Sequence, residues 1–350
     1  MRCQEEPQLY QRKITRFSDG FSIFLLVILI FLIAISVFCG KYQASPFDAL
    51  YQVIQGNSVS GDLTGIETVF WEIRVPRIIA AVLVGTGLAI SGAVLQGIFN
   101  NPIVSPQFLG ITSGAAFGAA VALLLSFSFA TAGIFAFLGG VLAVVFVILI
   151  NRLFSFQTIT GLVLAGIIVE SIFQSGIGLI KYLADPGGRL PSLMYWMMGS
   201  FNHVTSDGLL IAGPVLMILI MFLYSIRWQI NLLCFGEETA NNLGVPASLL
   251  YVIILLAVSL ITAASISLAG PIGWIGLVIP NIIRSLSGLD HLLSIPRSAL
   301  LGGSYLLIMD TIARTAAPTE IPVGILTALI GVPFFLFILK SQHRVHNYGN

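Results

Sequence analysis

Charge is what this sequence lacks most. Only 9% of its 350 residues are Asp, Glu, Lys or Arg, whereas 57% are hydrophobic, and the mean hydropathy is +0.99. Soluble globular chains carry roughly 25% charged residues, so this chain has too few to cover a surface that faces water. Its net charge of +1 also lacks the basic excess typical of nucleic-acid binding. The composition indicates a protein embedded in a lipid bilayer, without nucleic acid as a partner.

Motifs of enzymes, metal sites and nucleotide sites are also missing. The chain has three widely separated cysteines, Cys3, Cys39 and Cys234. They form no C-x-x-C pair, which disfavours a disulfide framework and a zinc site. No H-E-x-x-H occurs, and the Gly40–Lys41 pair is followed by Tyr42, so the chain has no P-loop. We expect no enzyme activity, no cofactor and no metal, with any ATP bound by a separate subunit.

Long apolar runs are present instead. A bilayer core requires about 20 apolar residues per helix. Ten such segments are predicted, near residues 21–40, 78–99, 108–127, 130–150, 159–180, 208–226, 247–269, 271–283, 297–315 and 322–339. The first is longer than the apolar core of a secretory signal (about 7–15 residues) and no A-x-A site follows it, so we expect an uncleaved span. The fold class predicted is all-α, a polytopic membrane protein with about ten transmembrane helices.

The number of spans and the basic residues together predict the orientation. An even count places both termini on one side of the membrane, and ten of the sixteen Lys and Arg residues then fall on that side. Basic residues accumulate on the cytoplasmic side. We therefore expect a cytoplasmic segment over residues 1–20, one ten-helix domain over 21–340 and a cytoplasmic tail over 341–350. All four histidines fall outside the predicted spans.

Ionisable residues inside spans are candidates for function because their burial in lipid is costly. Glu170 lies in the middle of the fifth predicted span, as either a proton carrier or a hydrogen-bond partner of a neighbouring helix. Asp310 and Arg314 are four residues apart and share a helical face, as either an ion pair whose Arg reaches the interface or part of a site. Arg74 and Arg77 precede the second span at the same outer face, so the three arginines outline a docking surface for carboxylates.

The stretch GPIGWIGLVIPNIIR, from Gly270 to Arg284, contains three glycines and two prolines. Each of these residues opposes a continuous helix, so the sequence predicts a short, interrupted span. A polar, helix-capable connector over 285–296 follows on the cytoplasmic side. Irregular backbone at membrane depth is tolerated only where it is buried in protein or lines a cavity. The segment therefore has the character of a lever between a pathway and a soluble partner.

A series of motifs occurs in a fixed order along the chain. They are RVPRIIAAVLVGTGLAISGAVLQGIFNNPIVSP, GITSGAA, LVLAG, YWMMGSF, GPIGWIGLVIPNIIR, DTIART and EIPVGILTALIGVPFF. In this combination the chain resembles the permease subunits of ABC importers for iron chelates, haem and vitamin B12, the FecCD type of type II importer. The resemblance implies a prokaryotic cytoplasmic membrane, ten helices per subunit and a second permease chain. It also implies two ATP-binding cassette subunits and an extracytoplasmic substrate-binding protein.

The resemblance also assigns roles to residues of this chain. The docking residues are Arg74, Arg77 and Arg314. The ATPase-coupling residues are Arg284, Ser285, Leu286, Ser287, Gly288, Leu289, Asp290 and His291, within a coupling segment over 285–296. The gate residues are Asn100, Asn101, Pro102 and Ile103, together with Ile159 and Thr160. Relatives commonly have His where this chain has Asn281, so no protonation role is expected there.

The function expected is ATP-driven import of an iron–siderophore complex or a related metal chelate. Haem, cobalamin and molybdate are alternative cargoes of the same machine. A rival from another class is a proton-coupled secondary transporter that uses Glu170 and Asp310. An intramembrane enzyme is disfavoured because no nucleophile–base or metal pattern is present.

Overall fold

The computed structural model describes residues 5–40, 69–154 and 159–347, with side chains described between residues 20 and 337 except at 108–109, 159–160 and 162–163. All regular structure in these residues is helical. The α-helices are α1 (Glu5–Phe38), α2 (Val75–Ile98), α3 (Ile111–Leu124), α4 (Phe129–Leu153), α5 (Ile159–Leu183), α6 (Arg189–Met197), α7 (Ser206–Ser225), α8 (Arg227–Leu233), α9 (Glu237–Asn242), α10 (Ala247–Ala269), α11 (Ile275–Ser287), α12 (His291–Thr315) and α13 (Val323–Asn347). A π-helical turn, Val69–Arg74, leads into α2, and a 3₁₀ turn, Pro106–Leu109, precedes α3.

Seven helices in the described part of the chain are long and apolar enough to cross a membrane. They lie within α1, α2 with its π-turn, α4, α5, α7, α10 and α12. Three shorter apolar helices accompany them: α3, α11 and the first part of α13. Each predicted span overlaps one of these helices, which confirms the all-helical polytopic class. Whether each shorter helix counts as a span remains a prediction, because about 20 residues are needed to cross the hydrocarbon.

Helix α2 lies at the centre of the bundle. It packs against α7, α10, α11 and α12, and α1 lies outside it along α12. Small residues allow these close contacts, since a Cβ on Gly85 of α2 would overlap the carbonyl oxygen of Gly302 of α12. Small interface residues let helix backbones approach closely in lipid, where packing drives helix association. The glycines of the second predicted span are therefore packing positions of the central helix.

The outer surface differs from helix to helix. Helix α4 exposes Ile134, Leu138, Leu142, Val145 and Leu149, and α7 exposes Leu210, Ile211, Met217, Ile218 and Met221. These two stripes are apolar throughout and match lipid hydrocarbon. Helix α5 instead exposes Ser171, Gln174 and Ser175 beside the half-exposed Glu170. Exposing these polar side chains to lipid is costly. We therefore expect this face of α5 to contact protein or water.

The two ends of the bundle carry different groups. The arginine end holds Arg74, Arg77 and Arg314. The opposite end, the tip end, holds the loop over 100–103 and the turn between α11 and α12. That turn corrects one expectation, because α12 already begins at His291, which is buried. The predicted connector over 285–296 is therefore not a separate segment between two helices. Residues 285–290 form an exposed tip, and residues 291–296 are the first turns of α12.

Candidate functional site

The predicted break in the eighth apolar segment lies between α10 and α11. The chain leaves α10 at Gly270, passes through residues 271–274 and becomes helical again at Ile275. Gly270 has φ +67° and ψ −173°, a conformation essentially confined to glycine, and Trp274 has φ +72°. The first turn of α11 packs on the middle of α2, since a Cβ on Gly92 would overlap the carbonyl oxygen of Gly276. A half-length helix thus starts inside the bundle and runs to the tip end.

A buried polar network fixes α11 to α2. Pro280 lies inside α11 and has no N–H, so the carbonyl of Gly276 loses its normal helical donor. The side-chain amide of Gln96, on α2, donates to the Gly276 oxygen at 3.1 Å and to the Leu277 oxygen at 3.4 Å. Arg284 in turn donates from Nη2 to Gln96 Oε1 at 2.6 Å. The network satisfies the carbonyl freed by proline and joins the helix break to the tip.

Asn281 joins the short helix to the predicted gate loop. Its Nδ2 donates to the carbonyl oxygen of Pro102 at 2.9 Å and to that of Leu277 at 2.7 Å. Within the loop, Asn100 has φ +46° and donates from Nδ2 to the carbonyl oxygen of Cys234 at 3.1 Å, while Asn101 Oδ1 accepts from the N–H of Ile103 at 3.0 Å. The amide at position 281 thus links the α2–α3 loop to α11 by hydrogen bonds.

The other half of the predicted gate is incompletely described. Ile159 and Thr160 are the first residues of α5, but their side chains lie outside the described residues. Their contact with the α2–α3 loop stays a prediction.

A helical hairpin at the tip end was not predicted from the sequence. It consists of α8 and α9, joined at Gly236 with φ +103° and ended by Gly244 with φ +82°. The available signal was the polar, helix-length run between two glycines, GEETANNLG. The hairpin is attached to α12, because Asn231 Oδ1 accepts from the backbone N–H of His291 at 3.2 Å.

Cys234 and His291 meet where the hairpin joins the bundle. Cys234 Sγ lies 3.8 Å from His291 Nδ1. Burial raises the pKa of the Cys234 thiol to about 11, with Arg284 acting in the opposite direction, so the thiol is protonated at neutral pH. A neutral thiol is a poor metal ligand and a poor nucleophile. Within the described residues no group of three or more His, Cys, Asp or Glu side chains is placed to hold a metal ion.

The tip end also carries exposed apolar side chains, in addition to those on the outer faces of the helices. Leu286 and Leu289 of the tip are 65% and 71% exposed, and Phe235 and Leu243 of the hairpin are 68% and 57% exposed. Asp290 caps α12 by accepting from the N–H of Leu292 at 2.9 Å, which holds the tip in a defined shape. Apolar residues on an otherwise polar end are typical of a surface that meets another protein.

At the arginine end the three arginines are buried, not displayed. Arg77 is paired with two carboxylates: its Nη2 lies 2.8 Å from Asp310 Oδ1 and its Nη1 lies 2.9 Å from Glu320 Oε2. Arg314 Nε lies 3.6 Å from Asp310 Oδ2, as the i, i+4 spacing predicted. The predicted pair is therefore part of a larger cluster that includes Arg77 and Glu320, two partners that the spacing in sequence did not reveal.

Two of these arginines also bind the end of α1. Arg74 donates to the carbonyl oxygen of Val37 at 3.0 Å, and Arg314 donates to the carbonyl oxygen of Ser36 at 2.7 Å. Cations at a helix C-terminus stabilise its unpaired carbonyls and its dipole. Each arginine thus contacts other elements of this chain, and docking of a partner through these arginines stays a prediction.

Glu170 stands apart from both ends. It is half-exposed on the polar strip of α5, and among the described residues its carboxylate has no hydrogen-bond partner. The neighbouring Ser171 and Ser175 bond to the carbonyls of Ile167 and Ser171, one turn back, at 2.9 and 2.8 Å. The alternative of a hydrogen bond to a neighbouring helix therefore has no counterpart within the described structure, and no charged partner accompanies Glu170.

An apolar helical bundle with a half-length helix, a hydrogen-bonded break inside it and an apolar tip defines a membrane transport subunit. The comparisons with known proteins agree. Residues 28–341 match the model of the FecCD transport family. The chain belongs to this family and is a multi-pass permease subunit of an ABC importer, a class that works with ATPase and substrate-binding partners.

Individual relatives cover nearly the whole chain. The molybdate import system permease protein MolB of Haemophilus influenzae is 38% identical over 91% of this chain and 95% of its own length. The hemin transport system permease protein HmuU of Yersinia pestis is 35% identical over 92% and 95%. A solved inward-facing structure of an ABC transporter of the metal-chelate type is 33% identical, with a TM-score of 0.79 over 92% of this chain and 99% of that one.

Proposed function

We propose that this chain pairs with a second permease chain to import a metal chelate, driven by two ATP-binding subunits and supplied by an extracytoplasmic binding protein. The observation that carries the proposal is the Pro280 break, where Gln96 and Arg284 connect the middle of the bundle to the tip. Transport by alternating access uses discontinuous helices of this kind. Motion applied at the tip is passed to the centre of the membrane through hydrogen bonds that helix α11 cannot supply by itself.

The membrane arrangement proposed is ten spans, with both termini in the cytoplasm of a prokaryote and the tip end facing the cytoplasm. Seven long and three shorter apolar helices support ten crossings. A short helix is accommodated where it is surrounded by protein, as α11 is by α2, α12 and α13. Accessibility of single cysteines to a charged reagent added on one side tests this topology. A cysteine at Leu289 should react only from the cytoplasmic side.

The ATPase-coupling surface proposed comprises the tip and the α8–α9 hairpin together. Both present exposed apolar side chains at the same end, and the Asn231–His291 hydrogen bond joins them through α12. This proposal retains the predicted residues Arg284–His291 and adds the hairpin. Leu289→Cys and Phe235→Cys variants should each form a crosslink to an ATPase subunit. A crosslink from neither position removes this surface from the coupling role.

Docking of the binding protein is proposed at the arginine end, through the Arg77–Glu320 pair. Glu320 is the partly exposed partner, with 23% of its side chain accessible against 5% for Arg77. An incoming carboxylate reaches Arg77 most directly by replacing Glu320. The variant Glu320→Gln should therefore raise the affinity of the binding protein several-fold. Unchanged affinity excludes Arg77 as a docking contact and leaves the cluster purely internal.

The cargo proposed first is an iron–siderophore complex, with haem, cobalamin and molybdate as alternatives. A wide, mainly apolar surface recess of about 680 Å³ at the start of α13 supports a bulky chelate. It is lined by Met197, Met198, Pro271, Gly324, Ile325, Ala328, Leu329, Val332 and Pro333.

The decisive experiment is uptake by proteoliposomes that contain the permease, its ATPase and its binding protein. Ferric siderophore, hemin, cobalamin and molybdate are offered in turn. We expect uptake to require ATP and to stop when the catalytic carboxylate of the ATPase is replaced. Uptake driven by a proton gradient without the ATPase would instead support the secondary transporter that uses Glu170 and Asp310.

A further inference from the structure

A cavity of about 310 Å³ lies between α4, α6, α7 and α10, at the end of the bundle opposite the tip. We call it the α4–α7 groove. Its wall is mostly apolar and includes Phe129, Ile134, Phe137, Leu138, Ile211 and Leu268. Its polar members include Tyr195 of α6, His203 and Thr205 of the α6–α7 loop and Asp207 of α7. The groove therefore has an apolar body and a polar margin.

The groove opens toward lipid and not toward an aqueous path. Ile134, Leu138 and Ile211 are 51%, 57% and 63% exposed, and they belong to the apolar stripes of α4 and α7. No exposed polar residue interrupts the stripe over 134–149 of α4 or the stripe over 210–221 of α7. Helix α5, in contrast, exposes polar side chains. An occupant that enters between the stripes comes from the hydrocarbon of the bilayer.

His203 supplies an independent observation of an unfilled site. Its ring stacks on Phe129, with 3.7 Å between ring centroids and 6° between planes. Its Nε2 atom is buried and has no hydrogen-bond partner in the described part of the chain. Burial lowers the pKa of His203, so the ring is neutral at pH 7 and carries one N–H donor and one acceptor nitrogen. Leaving such an atom unpaired is unfavourable. In the tautomer that has its proton on Nε2, the ring donates from Nε2 and a ligand oxygen would accept.

The charge of the groove restricts the ligand further. Asp207 is its one carboxylate, and no Lys or Arg is among the lining residues. Asp207 is exposed at the first turn of α7, where the headgroup of a lipid would lie if its chain occupied the apolar wall. A carboxylate without a basic neighbour disfavours a purely anionic headgroup and favours a cationic one. A primary ammonium group fits best, because its N–H groups can donate charge-assisted hydrogen bonds to the carboxylate, which a choline group cannot.

We propose that the α4–α7 groove binds one phospholipid with a primary-amine headgroup, of the phosphatidylethanolamine type. The acyl chain lies between the stripes of α4 and α7, an ester or phosphate oxygen pairs with His203 Nε2, and the ammonium group pairs with Asp207. An acyl chain is already in hydrocarbon when it enters from the bilayer, so the groove selects its lipid by packing and by the polar contacts at its margin. The site does not depend on the identity of the transported solute.

The test uses the full permease complex in nanodiscs that contain equal amounts of phosphatidylethanolamine and phosphatidylcholine. The complex is released into detergent, and native mass spectrometry measures the lipid that stays bound. We expect one retained phosphatidylethanolamine per permease chain. The variant Ile211→Trp should lose it, because the indole fills the groove. The matched control is Ile218→Trp, which lies on the same stripe two turns further, is 67% exposed and does not line the groove.

A second pair of variants keeps the test valid if the first variant does not fold. If Ile211→Trp fails to assemble, Leu138→Trp blocks the opposite wall, with Leu142→Trp as its control on the same stripe. Equal lipid retention by the groove variant and its control overturns the proposal. The same holds if a hydrophobic segment of a partner, and not a lipid, is found crosslinked in the groove.

The headgroup is tested with Asp207→Asn. The preference for phosphatidylethanolamine over phosphatidylcholine should fall by about two- to fivefold, because the primary amine loses charge-assisted hydrogen bonds at an exposed site that choline never made. Equal retention of the two lipids by the unaltered complex contradicts the amine assignment. A preference for phosphatidylglycerol, offered in place of phosphatidylcholine, contradicts it as well.

Discussion

Arg284 donates a hydrogen bond of 2.6 Å to Gln96, a residue 188 positions earlier in the chain. Gln96 uses its amide to bond the carbonyls of Gly276 and Leu277, next to the proline that interrupts α11. The contact therefore connects three sequence features that lie far apart along the chain. These are a polar residue near the end of α2, a proline inside α11 and a basic residue next to the tip.

Replacing Gln96 should destabilise the permease through the carbonyl that Pro280 leaves unpaired. We expect Gln96→Leu to lower stability by about 1–3 kcal/mol, the cost of an unsatisfied buried acceptor. In a Pro280→Ala background, residue 280 has an N–H for Gly276, so the cost of Gln96→Leu should shrink. Thermal unfolding of the purified complex measures both costs.

Gln107→Leu is the matched control for that comparison. Gln107 also donates to a backbone carbonyl, that of Ile272, at 3.3 Å. That carbonyl is not the one that Pro280 leaves without a donor. Its cost should be the same with Pro or Ala at position 280. Equal costs of Gln96→Leu in the two backgrounds would contradict the proposed origin of the network.

Removing Asp310 should be more damaging than removing Glu320. Asp310 is fully buried between Arg77 and Arg314, and loss of one partner of a buried pair typically costs about 3–5 kcal/mol. We therefore expect Asp310→Ala to reduce the amount of folded permease in the membrane. Glu320→Gln alters the more exposed pair and should cost at most about 1 kcal/mol.

A double-mutant cycle separates the pair energy from the loss of packing. Arg77→Met combined with Asp310→Leu should cost less than the sum of the single variants, by about 0.5–3 kcal/mol. Strict additivity would show that the two side chains do not stabilise each other.

Polar substitutions in the tip should uncouple the permease from its ATPase. We expect Leu286→Asp with Leu289→Asp to lower the amount of co-purified ATPase by about tenfold or more, since each buried Leu contributes about 1.5–3 kcal/mol. Both side chains are largely exposed in the isolated chain, so folding should be unaffected. Leu286→Met with Leu289→Met keeps the apolar surface and should bind normally. Undiminished ATPase binding by the Asp variant would exclude the tip from the interface.

Glu170→Gln should preserve ATP-dependent uptake. The carboxylate is half-exposed and has no charged partner in the described structure, so it lacks the relay that proton coupling requires. We expect the uptake rate of a neutral chelate to change by less than about twofold. Loss of uptake together with loss of its dependence on pH would favour the secondary transporter.

His203 should make the permease less stable in mildly acidic solution. Burial lowers the pKa of His203 below its ordinary value of 6.5, so the unfolded chain binds a proton more readily than the folded one. Stability is therefore complete above pH 6.5 and is lost as the pH falls toward the folded pKa. His203→Phe keeps a ring against Phe129 and should show a smaller fall in melting temperature between pH 7.5 and 5.5. An identical fall in both proteins would contradict the assignment to His203.

Several elements were predictable from sequence because they depend on local chemistry. Apolar length indicates the long helices of Phe129–Leu153 and Ala247–Ala269, since lipid leaves the backbone few alternatives to a helix. Glycine and proline likewise predict the interruption before Ile275. The i, i+4 spacing of Asp310 and Arg314 predicts their proximity. In each case the residues that decide the structure are neighbours along the chain.

Other elements were not predictable because they depend on contacts between distant segments. The sequence indicates a polar, helix-capable connector over 285–296, but it does not reveal that His291 is buried against Gly97 and Cys234. The sequence also predicts that three arginines outline a docking surface. It does not reveal that Arg77 is paired with Glu320, 243 positions away in the chain. The helical hairpin over 227–242 has too short a pattern to be recognised without the helices that it packs on.

By itself the sequence determined that this protein is embedded in a membrane, is helical and contains one interrupted span. Hydropathy and backbone chemistry decide these features because they act over a few helical turns. Only the tertiary structure decided which polar groups compensate one another inside the bundle. Buried donors and acceptors must find partners wherever the packed helices place them. The partner of a proline-freed carbonyl or of an arginine is therefore a property of the assembled fold.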